Sequence, residues 1–392
     1  MSWQLYLSLS IMMFLEFAIW GAWAPVLASH LLGPMKMSGK QVGWIYATLW
    51  LGCIVSPFIG GQIADRWVAT EYFLAAVHLA GGVILLLAAR KRKFWGLFGL
   101  MGLYSLLYAP TLALVNSLMF AQLTNPDTQA GGIRVWGTIG WIAAGLGLTL
   151  WRRFEKQKTN SSDALMMAGI LSLIMGFFCF FLPHTPPPEA PGNPLAFVGA
   201  LQLMGDTNFL IFLIISFVVT TELQFYYVPT APFLEDIGVK SKNVPAVMTL
   251  AQFAEVIAMV ALLGLLISKF GFRWTLVIGV IAWPLRYVIF AKMRPVWLVI
   301  SSLPLHGLGY TCFFFAGQMY VDKVASEDIR ASAQALIAVV TLGFGNFIGT
   351  QITGFVMDYF KKDGKFRWRP IFLVPCALTV ACAIAFILFF KG

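Results

Sequence analysis

The run PHTPPPEAPGNP, residues 183–194, interrupts an otherwise apolar chain of 392 residues near its midpoint. Half of its residues are proline, which lacks a backbone N–H and clashes with the preceding turn, so no helix continues through it. It reads as an extended connection, followed by a weakly amphipathic segment to Asp206. A bilayer-crossing helix needs about 20 apolar residues. On the N-terminal side such stretches fall at about 5–31, 41–64, 72–89, 94–120, 131–151 and 163–182. On the C-terminal side they fall at about 208–234, 244–267, 273–291, 296–320, 331–357 and 369–390. The expected organisation is a six-helix bundle over 1–182, a linker over 183–207 and a second six-helix bundle over 208–392.

The composition leaves little room for another class. Hydrophobic residues make up 59% and charged residues 11%, with a mean hydropathy of +0.80, whereas soluble domains carry about 25% charged residues. The chain is an all-α polytopic membrane protein whose solvent is the lipid bilayer. Its first apolar stretch has no basic region before it and no small-residue cleavage site after it, so it reads as a span and not as a cleaved signal peptide. The net charge of +10 is dispersed over short loops, with no basic domain to serve a nucleic acid. The five cysteines lie in apolar runs without CxxC spacing and read as core residues, with no metal site implied.

The two halves echo one another. Ala24-Pro25-Val26-Leu27 ends the first span and Ala231-Pro232-Phe233-Leu234 the seventh. Gly61 to Arg66 follows the second span, and Gly264 to Lys269 the eighth. Tyr108 precedes Asn116 in the fourth span as Tyr310 precedes Gln318 in the tenth. Ordered matches at nearly constant offset point to parallel repeats.

Polar side chains at membrane depth are costly and therefore informative. IRVWGTIGW, residues 133–141, puts Arg134, Thr138 and Trp141 on one helical face, with Gly137 and Gly140 among them to admit a close neighbour. An unpaired cation in hydrocarbon costs at least ~2.5–3.5 kcal/mol, so Arg134 either faces an internal cavity or snorkels to the headgroups. Gln252 and Glu255 share a face of the eighth span. Gln224 and Tyr227 share a face of the seventh, with Glu222 nearly opposite. Glu16 is followed at i+4 and i+7 by Trp20 and Trp23, Arg286 lies in the ninth span, and His306, Tyr310, Thr311 and Gln318 lie in the tenth. His30, His78, His184 and His306 are scattered, and no nucleophile–base pair is visible, so an integral membrane enzyme lacks support. The tails are too short for the signalling domain that a membrane sensor would need.

GQIADR, residues 61–66, resembles the signature loop of the major facilitator superfamily. Within it the chain is similar to the bacterial nucleoside–proton symporters, on IWGAW (19–23), PTLALVNS (110–117), IRVWGTIGW, ELQ (222–224), QFAE (252–255), LRYVIFA (285–291) and DIRASAQA (328–335). These islands run in family order over nearly the whole chain. The resemblance implies the major facilitator fold, twelve transmembrane helices in two pseudo-symmetric six-helix bundles. It also implies proton-driven nucleoside uptake by alternating access, with no cofactor, by a monomer in the cytoplasmic (inner) membrane.

Residue by residue, the resemblance assigns Arg134, Thr138, Trp141, Gln224, Gln252 and Glu255 to substrate. Tyr227 stands where relatives carry an asparagine that contacts substrate, and His306 where they carry tyrosine; with Tyr310 these complete the candidate binding set. Glutamine, glutamate, arginine and threonine serve ribose hydroxyls and a base edge, and aromatic faces serve the base itself. Proton coupling needs a carboxylate that is neutral in one state and ionised in another; Glu255 is the first candidate and Glu16 the second, Glu16 replacing a glutamine-like residue. Thr311 replaces a family aspartate. Asp65 and Arg66 are expected to gate the conformational change. Glu222 and Arg286 read as helix-packing groups.

The resemblance also implies cytoplasmic termini. The charge rule taken alone gives the opposite orientation, because RKRK at 90–93 and the basic loops at 152–158 and 361–369 would then lie outside. An uncoupled nucleoside facilitator, and a carrier of another small polar substrate such as a sugar, are the alternatives.

Overall fold

The structure is a computed structural model that describes residues 1–154, 162–187, 193, 195–327 and 329–391. A helix meets its own backbone hydrogen bonds, which is why apolar stretches immersed in hydrocarbon adopt it. Eleven helical stretches among the described residues are long and apolar enough to cross a bilayer. One of them, Ser241–Lys292, has 52 residues, over twice the length needed. Gly271, at φ 69° and ψ 178°, turns the chain within it. It therefore supplies the eighth and ninth spans, which makes the expected twelve among the described residues.

The chain forms two compact units. The first comprises Met1–Met37, Trp44–Pro194 and Ser241–Ala246. Its helix α1 (Trp3–Trp23) starts at Ser2, whose hydroxyl accepts from Leu5 N–H at 3.2 Å. Pro25 separates it from α2 (Leu27–Leu32). Helix α3 (Gly39–Val55) gives way at a 3-10 turn containing Pro57 to α4 (Gly60–Arg66). Then come α5 (Thr70–Ala88), α6 (Phe94–Gln122), α7 (Pro126–Phe154) and α8 (Asp163–Phe178).

Helices α1 and α7 lie in backbone contact: a Cβ on Gly140 would collide with the Phe14 carbonyl. At the far end of α7, buried Arg152 binds Asp163 of α8 through Nε (2.6 Å) and Nη2 (2.9 Å). The start of the proline-rich linker is tied to this unit as well. Glu71 takes His184 Nδ1 at 2.6 Å and the Thr185 N–H at 3.0 Å, while Gln122 donates to the Thr185 hydroxyl at 2.9 Å.

The second unit comprises Ser38–Gly43, Leu195–Lys240 and Val247–Gly392. The segment expected to be weakly amphipathic forms a 3-10 helix, Ala196–Gly205. Asp206 then caps α9 (Thr207–Tyr227), accepting from Phe209 N–H at 2.8 Å. Pro229 separates α9 from α10 (Thr230–Asp236). Helix α11 (Val244–Met248) leads to α12 (Leu250–Ile257), and α13 (Leu263–Lys292) carries the bend at Gly271.

The tenth span is α14 (Val296–Ser301), α15 (Pro304–Tyr310) and α16 (Ala316–Val324); the eleventh is α17 (Arg330–Ala338) and α18 (Asn346–Tyr359). A two-stranded hairpin, β1 (Lys361–Lys362) and β2 (Lys365–Phe366), precedes α19 (Trp368–Phe389). Within this unit Asp358 accepts from Gly39 N–H (2.6 Å) and Lys40 N–H (2.8 Å), satisfying the first turn of α3.

Candidate functional site

In the first unit the face of α7 carries exposed Arg134, half-buried Thr138 and buried Trp141. The glycines expected to admit a neighbour admit α1: Gly140 meets its backbone and Gly137 the Phe17 ring. Trp141 is buried, and Gly21 of α1 lies against it. Trp20 of α1 stands edge-on to it at 5.3 Å and 69°, and Trp50 of α3 stands edge-on to Trp20 at 5.8 Å and 68°. Trp136 Nε1 donates to the Tyr6 hydroxyl at 3.0 Å, tying the same stretch of α7 to the start of α1.

Glu16, on the α1 face that carries Trp20, is fully buried. Its carboxylate meets His78 of α5 at 3.0 Å and accepts from the Thr111 hydroxyl of α6 at 2.6 Å. Arg66 is exposed at the end of α4; the Asp65 side chain lies outside the described ones.

In the second unit Gln224 is fully buried and donates through Nε2 to Asn346 Oδ1 at 2.6 Å, while its Oε1 has no hydrogen-bond partner. His306 stacks on Tyr226 at 3.8 Å and 16°, with Tyr227 edge-on to it at 5.7 Å and Tyr310 tilted at 6.2 Å. Arg286 Nη1 lies 2.7 Å from His306 Nδ1. Guanidinium only donates, so Nδ1 accepts and the ring hydrogen sits on Nε2. Arg286 also lies over the Tyr226 and Tyr287 rings at 4.8 and 4.5 Å, and Tyr287 donates to Glu222 Oε2 at 2.6 Å.

Gln252 and Glu255 are both buried on α12. Gly307 lets α15 approach there, since a Cβ would strike the Ala251 carbonyl. Thr311 donates to the Glu255 carbonyl at 3.2 Å.

Three π-helical turns adjoin these residues: Ala258–Leu262 after α12, Thr311–Phe315 after α15 and Val339–Gly345 before α18. Such turns recur at functional sites because the extra residue displaces one backbone hydrogen bond. Nothing in the residue types signals them. Asn346 and His78 receive no role from the sequence, since each gains meaning only from a partner on another span.

The arrangement offers hydrogen-bonding groups beside aromatic faces. Among the described residues no group of three or more His, Cys, Asp or Glu side chains is placed to hold a metal ion.

Comparison with known proteins identifies the architecture. The chain is 33% identical over 400 residues to the "Putative nucleoside transporter YegT" of Escherichia coli (strain K12), covering 98% of this chain and 93% of that one. The "Nucleoside permease NupG" of the same organism is 29% identical over 99% of this chain and 96% of its own. The NupG crystal structure superposes with a TM-score of 0.88, at 28% identity and 99% coverage of both chains. The crystal structure of a D-xylose–proton symporter, at 13% identity and a TM-score of 0.76 over 98% of both chains, shares the fold. That fold is the major facilitator fold. The profile of the family "Nucleoside H+ symporter" matches residues 3–392. From its third residue to its last, the chain belongs to the nucleoside H+ symporter family, whose members are multi-pass membrane transporters and not enzymes.

Proposed function

We propose that this carrier takes up nucleosides by proton symport across the cytoplasmic membrane, working as a monomer with both termini on the cytoplasmic side. The observation that carries the reading is the Trp141 face. One edge of the indole is held by Trp20, and Arg134 and Thr138 follow on the same helical stripe. A flat apolar surface beside a fork of N–H donors and a hydroxyl suits a base joined to a ribose. The family resemblance adds Gln224, Tyr227, Gln252, Glu255, His306 and Tyr310 to the candidate binding set. In this reading Glu255 links substrate and proton binding, Glu16 is the second protonatable site, and Asp65 and Arg66 serve the gate. Residues 1–182 and 208–392 act as the two moving halves, joined by 183–207.

The test is uptake of labelled uridine and adenosine into proteoliposomes, with and without an inward proton gradient. Accumulation above equilibrium only with the gradient is expected. Equilibration without accumulation would replace symport by facilitation, an outcome favoured by the substitution of Thr311 for the family's acid. Uptake of a pyranose in place of either nucleoside would overturn the substrate.

A further inference from the structure

Glu16 and His78 are 0% and 1% exposed, and they meet where α1, α5, α6 and α8 pack. Glu16 Oε2 lies 3.0 Å from His78 Nε2 without either atom forming an aligned hydrogen bond. The other carboxylate oxygen accepts from the Thr111 hydroxyl at 2.6 Å. Tyr108 donates to the Glu16 carbonyl at 2.8 Å and stands edge-on to the His78 ring at 6.1 Å. Ser172 donates to the His78 carbonyl at 2.8 Å and lies 3.4 Å from Nδ1. Tyr104 of α6 stacks on Tyr108 at 5.2 Å. Tyr104 and Cys179, just after α8, are within electrostatic reach of Glu16, Cys179 also of Glu71 in α5, and Tyr108 of Cys53 in α3.

Thr111 makes this cradle unusual. Its oxygen is 2.6 Å from Glu16 Oε1 and also 2.6 Å from the Tyr108 carbonyl. A hydroxyl has one hydrogen and can also accept. With Glu16 ionised, the Thr111 hydrogen goes to Oε1. With a proton on Oε1, the carboxyl donates to Thr111 and the hydroxyl turns to the Tyr108 carbonyl. Both protonation states of Glu16 are thus hydrogen-bonded without moving a heavy atom, which a purely structural ion pair would not require.

We infer that the Glu16–His78 pair is the seat of the symported proton. The inference rests on the symport reading and deepens it. One proton on the pair, either as carboxylate with imidazolium or as carboxylic acid with imidazole, leaves it neutral, the condition for sealing it in a dry bundle. Releasing that proton to water leaves a lone carboxylate, whose burial is unfavourable, so the empty pair resists occlusion until a new proton binds. The signal has a short route to substrate: one helical turn beyond Glu16, Trp20 touches Trp141. In this scheme Glu255 senses substrate, and the acid missing at Thr311 is replaced in the other unit.

Three readings on proteoliposomes test it: uridine counterflow without a gradient, proton uptake on adding uridine (a trapped pH dye), and accumulation under an imposed inward proton gradient. The wild type is expected to show all three. Glu16→Gln and His78→Gln should retain counterflow, while uridine-driven proton uptake falls to baseline and the accumulation ratio falls to one. If Glu16→Gln does not fold, His78→Gln decides. Accumulation with proton uptake at wild-type levels in either folded variant overturns the pair. Wild-type counterflow without proton uptake overturns it too and leaves a facilitator. No wild-type counterflow removes the nucleoside reading and the pair with it.

Discussion

Trp141 is the residue on which the substrate reading turns most directly. A base stacked on an aromatic face gains ~1–3 kcal/mol. Trp141→Ala should therefore weaken uridine binding by roughly five- to 150-fold while leaving free ribose almost unaffected. Equal losses for both, measured by competition for counterflow, would remove stacking from the account. Arg134→Ala should abolish nucleoside binding, and Arg134→Lys should restore little of it, because an ammonium lacks the guanidinium's planar fork; undiminished binding by a folded Arg134→Ala variant would return this arginine to the headgroup region. For Glu255→Gln, loss of gradient-driven accumulation is expected, and full pH-dependent accumulation would exclude Glu255 from coupling. The α7 stripe was legible in the sequence because Arg134, Thr138 and Trp141 are neighbours on one helix. Glu16 was legible as an anomaly and His78 was not, because their 3.0 Å contact joins spans 62 positions apart. Periodicity reports faces of one helix and is silent on which faces meet.

At the scale of elements, close helix contact and buried charge offer separate handles. Gly140→Leu would force α1 away from α7, since no room exists even for a Cβ beside the Phe14 carbonyl. Overpacking of this kind costs about 1–3 kcal/mol, and a lower melting temperature in detergent together with weaker nucleoside binding would report it. Arg152→Ala leaves Asp163 buried without its partner, and losing half of a buried pair costs about 3–5 kcal/mol. The double variant Arg152→Met with Asp163→Leu should recover most of that stability; failure to recover would assign Arg152 a role beyond the pair. Span positions followed from composition, whereas the breaks at Pro25, Pro57 and Pro229 lie inside stretches expected to be continuous. The turn at Gly271 falls in the expected connection between the eighth and ninth spans, but the three π-turns were not legible, because apolar residues there are equally compatible with a regular helix. They reflect packing within the second unit.

For the whole molecule, the proline-rich run between two sets of six apolar stretches was enough to read the architecture, and the comparisons bear out the fold. Orientation is the point at which local charge and family resemblance part. With the termini inside, a cysteine placed at Ser2 should resist an impermeant thiol reagent applied to intact cells; labelling would side with the charge rule. One proton descending 100 mV supplies about 2.3 kcal/mol, enough for roughly fifty-fold accumulation. Sealing of the Glu16–His78 pair also has an electrical consequence. A proton that reaches a site with 0% and 1% exposure leaves bulk water and enters the membrane's field, whereas a neutral nucleoside adds no charge of its own. The carrier is then a nucleoside-gated current source: uridine applied to a capacitively coupled membrane should draw an inward positive transient, and Glu16→Gln should move the nucleoside silently.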